Sequence, residues 1–115
     1  MRKIVEDLLR VDGVVGSLLV GKDGLVVAST LLDPADAEIL GAMSAAVYAE
    51  IDKATNRIGV GELTDAIINA RDGMVMMLES HELILVVITH RTVNIGLVKM
   101  EMRKAAGRIT EAVPL

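Results

Sequence analysis

The chain has 115 residues, no cysteine, one aromatic residue and a formal net charge of -4. This length fits one domain spanning residues 1–115, and the missing cysteines exclude disulfides, thiolate nucleophiles and cysteine-ligated metal sites. The acidic balance and the near absence of aromatic rings argue against nucleic-acid binding, which needs clustered cations and stacking platforms.

The first thirty residues predict a helix followed by a β-hairpin. Residues 2–10 have apolar side chains at helical spacing, and Gly13 follows them as a stop signal. Residues 14–20 and 25–30 are rich in β-branched side chains and read as two strands. The intervening Asp23-Gly24 supplies the positive φ that a tight turn requires.

A long helix is predicted from Asp33, a suitable N-cap, to residue 58, with Pro34 in its first turn and glycines after its end. At about 100° per residue, one stripe of this helix carries most of its large apolar residues and is expected to cover the core of its own chain. That stripe consists of Leu40, Met43, Val47, Ile51 and Ala54. The opposite side carries Ala42, Ala45, Ala46 and Ala49. Small side chains let a second helix approach closely, so this side predicts a partner outside the subunit.

The second half of the chain predicts three strands and a final helix. The strands cover residues 63–70, 74–79 and 83–89, and the last of them shows no polar alternation, as expected of a central strand buried on both faces. The helix covers residues 94–112, with a core stripe of Ile95, Val98, Met102, Ala105 and Ile109. The predicted fold is therefore α+β, a sheet of five strands with helices packed on it, in the order α-β-β-α-β-β-β-α.

This order, together with three local patterns, resembles the roadblock family of dynein light chains and bacterial or archaeal GTPase regulators. The patterns are Gly13-x-x-Gly16, the segment Asp23-Gly24-Leu25-Val26-Val27-Ala28-Ser29, and the step from the last strand into Asn94-Ile95-Gly96-Leu97-Val98. The resemblance covers almost the whole chain. It implies a roadblock (profilin-like) sandwich with an antiparallel five-stranded sheet.

The resemblance also implies a homodimer, in which the third strand pairs antiparallel with its copy and the long helices lie side by side. The expected interface residues are Ala42, Ala45, Ala46, Ala49, Leu63 and Ile67. The implied partner is a small Ras-like GTPase that is held and reshaped, without an enzyme site on this chain. Glu50, Lys53 and Arg57 are predicted as the polar rim of the GTPase site, or alternatively as a solvated helix face.

The residue types that form catalytic, metal or nucleotide sites in other proteins are not arranged as a recognisable site in this sequence. His81 lacks a nearby second histidine to complete a metal site with Glu79 and Glu82, and is read as part of a solvated turn. His90 falls at a strand-to-helix junction, and the glycine pairs lack the endings of nucleotide-binding loops. No enzyme activity, cofactor or metal is therefore expected. The methionines at 74, 76, 77, 100 and 102 fill a core without aromatic rings, or alternatively mark an adaptable surface.

The leading hypothesis is a dimeric regulator or scaffold of a small GTPase. Two alternatives stay open, which are a small-ligand-sensing α+β module and a purely structural dimerisation subunit of a larger assembly. No apolar run is long enough to span a bilayer, and the N-terminus lacks the apolar stretch of a secretion signal. The sequence therefore predicts a cytoplasmic protein without membrane insertion.

Overall fold

The computed structural model describes residues 1–112, which form a five-stranded antiparallel sheet with helices on both faces. In chain order the elements are α1 (Arg2–Leu8), β1 (Val14–Gly21), β2 (Val26–Ser29), α2 (Pro34–Arg57), β3 (Asp65–Asn69), β4 (Gly73–Ser80), β5 (Leu83–His90) and α3 (Ile95–Ala112). The predicted α+β class and element order are confirmed.

The strands lie in the order β2-β1-β5-β4-β3, so β5 is central and β3 and β2 form the two edges. Leu85 of β5 pairs with Leu19 of β1 on one side and with Leu78 of β4 on the other. Residues 84–87 of β5 are fully buried, since both faces of a central strand are covered here. This explains why the sequence of β5 shows no polar alternation.

The sheet separates two apolar cores. Helices α1 and α3 cover one face, and α2 covers the other. The first core includes Val5, Leu19, Leu85, Val98 and Ile109, and the second includes Leu18, Val20, Tyr48, Met77 and Val86. Each helix on the first face contributes a buried stripe at helical spacing, whereas the second core depends on a single long helix.

Local turn chemistry matches the sequence at two of the three hairpins among the described strands. Gly24 has a φ of 90°, and the Asp23 carboxylate accepts a hydrogen bond of 3.0 Å from the Leu25 amide. His81 and Glu82 form the two-residue turn between β4 and β5, where His81 has a φ of 57° and is exposed. The reading of His81 as a turn residue is therefore confirmed.

Helix α2 begins as predicted. Asp33 is the N-cap, and its carboxylate accepts a hydrogen bond of 2.9 Å from the Ala35 amide, with Pro34 in the first turn. The helix ends at Arg57, and Gly59 follows with a φ of 84°.

The predicted core stripe of α2 is wrong in most of its members, because only Leu40 of that stripe packs against the core and Met43, Val47, Ile51 and Ala54 are exposed. The buried side consists of Ala37, Gly41, Ser44, Ala45 and Tyr48. By contrast, Met43, Val47 and Ile51 are 62%, 40% and 44% exposed. The cause is the short distance between helix and hairpin, since a Cβ added at Gly41 would lie 2.9 Å from the Val26 side chain. Small residues do allow close approach here, but to the chain's own sheet.

Two further differences concern element ends. Strand β3 starts at Asp65 rather than at residue 63, because the Leu63 backbone is hydrogen-bonded to side chains of α2 instead of to β4. Ile95 is 41% exposed and is not part of the core stripe of α3. It is the first residue of that helix, and the buried stripe begins one turn later at Val98.

Candidate functional site

Helix α2 presents three distinct surfaces around its buried side. The first, called the apolar flank below, consists of Met43, Val47 and Ile51. The second, the alanine flank, consists of Ala42 and Ala49 and borders an open groove against the β1–β2 turn, whose outer rim is lined by Ala46. The third, the crest, points away from the sheet and carries Ile39, Ala46, Glu50, Lys53 and Arg57.

The apolar flank lies beside a part of the sheet that α2 does not cover. The helix packs over β1 and β2, and its alanine flank lines a groove against the turn between them, so the apolar flank on its other side faces away from that turn. On this face Ile68 of β3 pairs with Val75 of β4, which in turn pairs with Ile88 of β5. Ile68 is 40% exposed, and Val75 and Ile88 are half-buried. These three residues, the sheet floor, extend the apolar flank into a wider apolar surface.

This surface ends at the free edge of β3. Strand β3 pairs with β4 alone among the strands of the described residues, so its other side presents unpaired backbone groups. Such an edge is a template for pairing with another strand, and proteins usually cover or blunt it. Exposed Ile67 and Ile68 do not blunt it, since neither carries a charge.

The crest combines apolar and charged side chains. Ile39 and Ala46 are exposed in its first half, and Glu50, Lys53 and Arg57 are exposed in its second half. The Lys53 ammonium lies 3.2 Å from the Glu50 carboxylate, with both side chains 74% exposed. An exposed pair of this kind stabilises a fold by at most about 1 kcal/mol, so these charges are available to a partner at little cost.

A buried polar cluster lies beneath the second half of α2. The Tyr48 hydroxyl donates to the Leu63 carbonyl at 2.9 Å, and the Asp52 carboxylate accepts from the Leu63 amide at 2.8 Å. Glu79 lies 3.5 Å from the Tyr48 hydroxyl and forms an ion pair with Lys22. Burial and the nearby Glu79 charge raise the pKa of Tyr48, and the hydrogen bond to Glu79 raises the pKa of Lys22. At neutral pH Tyr48 therefore keeps its proton as a hydrogen-bond donor, and Lys22 keeps its charge.

The predicted site residues are only partly brought together. Glu50, Lys53 and Arg57 share the crest, and Ala42, Ala46 and Ala49 are exposed. Ala45 is 5% exposed and packs in the second core at the base of the groove lined by Ala42, Ala46 and Ala49, so it offers little surface to another subunit. Leu63 is half-buried against the same core, and Ile67 lies on the opposite face of the sheet, near α3.

The sequence analysis missed the apolar flank and the sheet floor as exposed surfaces. One signal was present, because Gly41 lies one turn before Ala45 on α2 and outside the stripe of large apolar residues. A glycine in the middle of a helix costs stability unless close packing requires it. Gly41 therefore indicated the side of the helix that approaches the sheet.

Within residues 1–112, no three His, Asp or Glu side chains are grouped so that they would hold a metal ion. In the same part of the chain no helix has the length and apolar character needed to cross a membrane. The remaining features of the site are surfaces and a free strand edge, which suit recognition of another macromolecule.

Comparison with known proteins places this geometry in a family. Two relatives from Methanocaldococcus jannaschii, the uncharacterized proteins MJ0714 and MJ0310, are 41% and 39% identical over 107 residues, covering 93% of this chain and 91% and 94% of theirs. Among solved structures, a Roadblock/LC7 domain from Streptomyces avermitilis is similar with a TM-score of 0.92 at 20% identity, covering 97% of this chain and 96% of that one. Myxococcus xanthus MglB is similar with a TM-score of 0.88 at 21% identity, covering 96% and 85%.

The likeness of fold reaches beyond roadblock proteins. Acanthamoeba castellanii profilin IB is similar with a TM-score of 0.64 at 17% identity, covering 94% of each chain, in agreement with the profilin-like sandwich. The family model of the Roadblock/LC7 domain matches residues 2–89, which include both edge strands and the whole of α2. The chain belongs to the Roadblock/LC7 domain family.

Proposed function

We propose that this chain is a cytoplasmic, homodimeric regulator or scaffold that binds a small Ras-like GTPase and has no catalytic chemistry of its own. The observation that carries the proposal is the exposed surface of α2, where an apolar flank adjoins an open sheet floor and a free strand edge. Family membership supplies the class of partner, because the roadblock family includes regulators of small GTPases.

Self-association accounts for the apolar part of this surface. Pairing of β3 with its copy satisfies the free edge and extends the sheet through both subunits. The sheet floor adjoins that edge, so the same arrangement brings the apolar flanks of the two subunits together and removes Met43, Val47 and Ile51 from water. Burial of such side chains contributes about 1.5–3 kcal/mol each when complete. The predicted contact through Ala42, Ala46 and Ala49 remains an alternative to this arrangement.

The crest is the proposed GTPase site. In the homodimer the two crests form one platform, with Ile39 and Ala46 as its apolar part and Glu50, Lys53 and Arg57 as its rim. Charges of both signs orient a partner and select against wrong ones. Regulation then requires different affinities for the GDP and GTP states of the partner, because only a differential affinity shifts the equilibrium of its switch loops.

The test is titration calorimetry of the cognate GTPase, loaded with GDP or with a non-hydrolysable GTP analogue, against the dimer. The triple variant Glu50→Lys, Lys53→Glu, Arg57→Glu should weaken binding at least about tenfold, which corresponds to about 1.4 kcal/mol. The matched control is Glu101→Lys, Arg103→Glu, Lys104→Glu, which makes the same charge changes on α3, on the other face of the sheet. The control should bind like the native chain.

Two outcomes would contradict parts of the proposal. Equal binding by the triple variant would refute the crest as the site. Equal affinity for the two nucleotide states would leave a structural scaffold, one of the alternatives above. The chain alone should neither bind nor hydrolyse GTP, and binding of a small molecule without a protein partner would favour the ligand-sensing alternative.

A further inference from the structure

The segment between α2 and β3 reaches the core at Leu63, two residues before β3 begins at Asp65. Residues 58–62 are exposed, and Gly59 and Gly61 adopt φ values of 84° and 93°. A Cβ added at either glycine would meet nothing within 4 Å. This part of the loop therefore has little tertiary packing to hold it, and the next residue, Leu63, is where the chain returns to the core.

Both backbone groups of Leu63 are bound by side chains of α2. The Tyr48 hydroxyl donates to its carbonyl at 2.9 Å, and the Asp52 carboxylate accepts from its amide at 2.8 Å. Tyr48 is only 4% exposed, and Asp52 also accepts a hydrogen bond of 3.2 Å from Asn56. Because Tyr48 and Asp52 lie one turn apart on the helix, they hold one peptide segment from two positions. This arrangement is called the Leu63 clamp below.

The clamp continues into the sheet. The Thr64 carbonyl accepts a hydrogen bond of 3.1 Å from the Glu79 amide of β4, and β3 pairing begins at the next residue, Asp65. The Glu79 side chain lies 3.5 Å from the Tyr48 hydroxyl and is paired with Lys22 of the β1–β2 turn. The start of β3 is thus connected to α2 and, through Glu79, to the opposite half of the sheet.

We propose that Tyr48 and Asp52 are positioning residues, which hold the start of β3 through the Leu63 backbone so that its free edge is ordered for pairing with a second copy. This inference rests on the proposed homodimer. Neither side chain belongs to the apolar flank, the sheet floor or the crest. Their effect on self-association is therefore indirect and passes through the geometry of β3.

The expected weakening of self-association depends on the fraction of molecules in which the start of β3 is ordered for pairing. When only a fraction of the molecules has the conformation that can pair, the apparent dissociation constant equals the intrinsic constant divided by that fraction. Both copies must have this conformation in order to pair. Loss of both hydrogen bonds at Leu63 removes the connection between its backbone and the side chains of α2. We expect the start of β3 to be frayed in an appreciable fraction of molecules as a result.

The experiment compares the double variant Tyr48→Phe, Asp52→Ala with the native chain by sedimentation equilibrium and by amide hydrogen exchange. Both measurements are made at a temperature where each protein is folded. The conservative variant Asp52→Asn keeps an oxygen that accepts from the Leu63 amide. The matched control is Thr55→Val, which removes a hydroxyl that donates to the Asp52 carbonyl within the same helix and does not reach Leu63.

The expected result is that the double variant self-associates roughly tenfold more weakly and loses amide protection at residues 63–69, while protection of β5 is kept. Asp52→Asn and Thr55→Val should behave like the native chain. Unchanged self-association and unchanged protection of residues 63–69 in the double variant would overturn the clamp. Equal loss of protection in β5 would also overturn it, since the residues would then only stabilise the fold.

The outcome for the native chain separates this inference from the proposed function. If the native chain is a monomer at every concentration, the proposed homodimer is refuted, and with it the role of the clamp in pairing. If the native chain dimerises and the double variant dimerises equally well, only the clamp is refuted.

Discussion

Asp7 connects the two helices that share one face of the sheet. Its carboxylate lies 2.8 Å from the Arg108 guanidinium of α3 and 3.3 Å from the Lys3 ammonium of α1. The hydrogen bond from Arg108 lowers the pKa of Asp7 below its usual value of 3.8, and desolvation opposes part of this effect. A lowered pKa in the folded state means that the charged carboxylate stabilises the fold above its ordinary pKa, and that this contribution is lost as the pH falls through the folded value.

Asp7→Asn is therefore expected to lower the free energy of unfolding at neutral pH, where the carboxylate is charged. The difference from the native chain should shrink when the pH is lowered to about 2.5, because the stabilisation by the charged carboxylate is lost progressively as the pH falls toward the folded-state pKa of Asp7. Urea denaturation at the two pH values measures it, with Asp12→Asn as a control at a neighbouring exposed aspartate. A difference between native chain and variant that grows on acidification would show that the ion pair with Arg108 is not its source.

Residues whose role is local were predictable from the sequence, and residues whose role depends on a distance in space were not. Asp33 caps α2 as expected, because a cap needs only its own helix. Ala45 was assigned to a partner because the distance between α2 and the hairpin, which requires small side chains at Gly41 and Ala45, is set by tertiary packing. The Tyr48 hydroxyl donates to the Leu63 carbonyl across 15 residues, and the Leu63 amide donates to Asp52 across 11, so neither hydrogen bond leaves a periodic signal in the sequence.

Among the elements, helix α2 has two sides through which a second copy could be bound, the apolar flank and the side with the exposed alanines. One substitution on each side tests them separately. Val47 is on the apolar flank beside the sheet floor, whereas Ala46 is on the crest. The two residues are adjacent in the middle of the helix, and a change to glutamate alters helix propensity by less than about 1 kcal/mol at either position.

Val47→Glu is expected to weaken self-association at least about a hundredfold, because each dimer would bury two unpaired carboxylates. Ala46→Glu should change self-association little, since the crest is proposed to remain open to solvent in the dimer. Sedimentation equilibrium of both variants measures the effect, and circular dichroism checks that both are folded. If Ala46→Glu abolishes the dimer while Val47→Glu leaves it intact, the subunits meet through the alanines as the sequence alone predicted.

The elements themselves were predictable because each has a strong local pattern. The alternation-free stretch at residues 84–87 identified a central strand, and the Asp-Gly turn identified the first hairpin. The start of β3 was not predictable, because Leu63 continues the apolar pattern of the strand while its backbone is bound to α2. Which large residues of α2 are exposed was equally beyond an amphipathic pattern, since this helix is apolar on more than one side.

In the molecule as a whole, the features proposed to carry the function are exposed surfaces on one face of the sheet. One face of the sheet is closed by α1 and α3, whereas the other is closed only in part by α2. The exposed apolar surface and the free edge of β3 lie next to each other on this second face. In the proposed dimer, a second copy closes this face and the paired crests are presented to a GTPase.

Light scattering during size-exclusion chromatography measures the molar mass of a complex, and so tests whether a dimer of this chain binds a small GTPase in one nucleotide state. The chain, of 12.3 kDa, is mixed with a small Ras-like GTPase of the same organism in its GDP or GTP-analogue state. We expect two copies of the chain to elute together with the GTPase in one nucleotide state and separately from it in the other. Elution of the chain as a monomer, or of a dimer separate from every such GTPase in both states, would contradict this expectation.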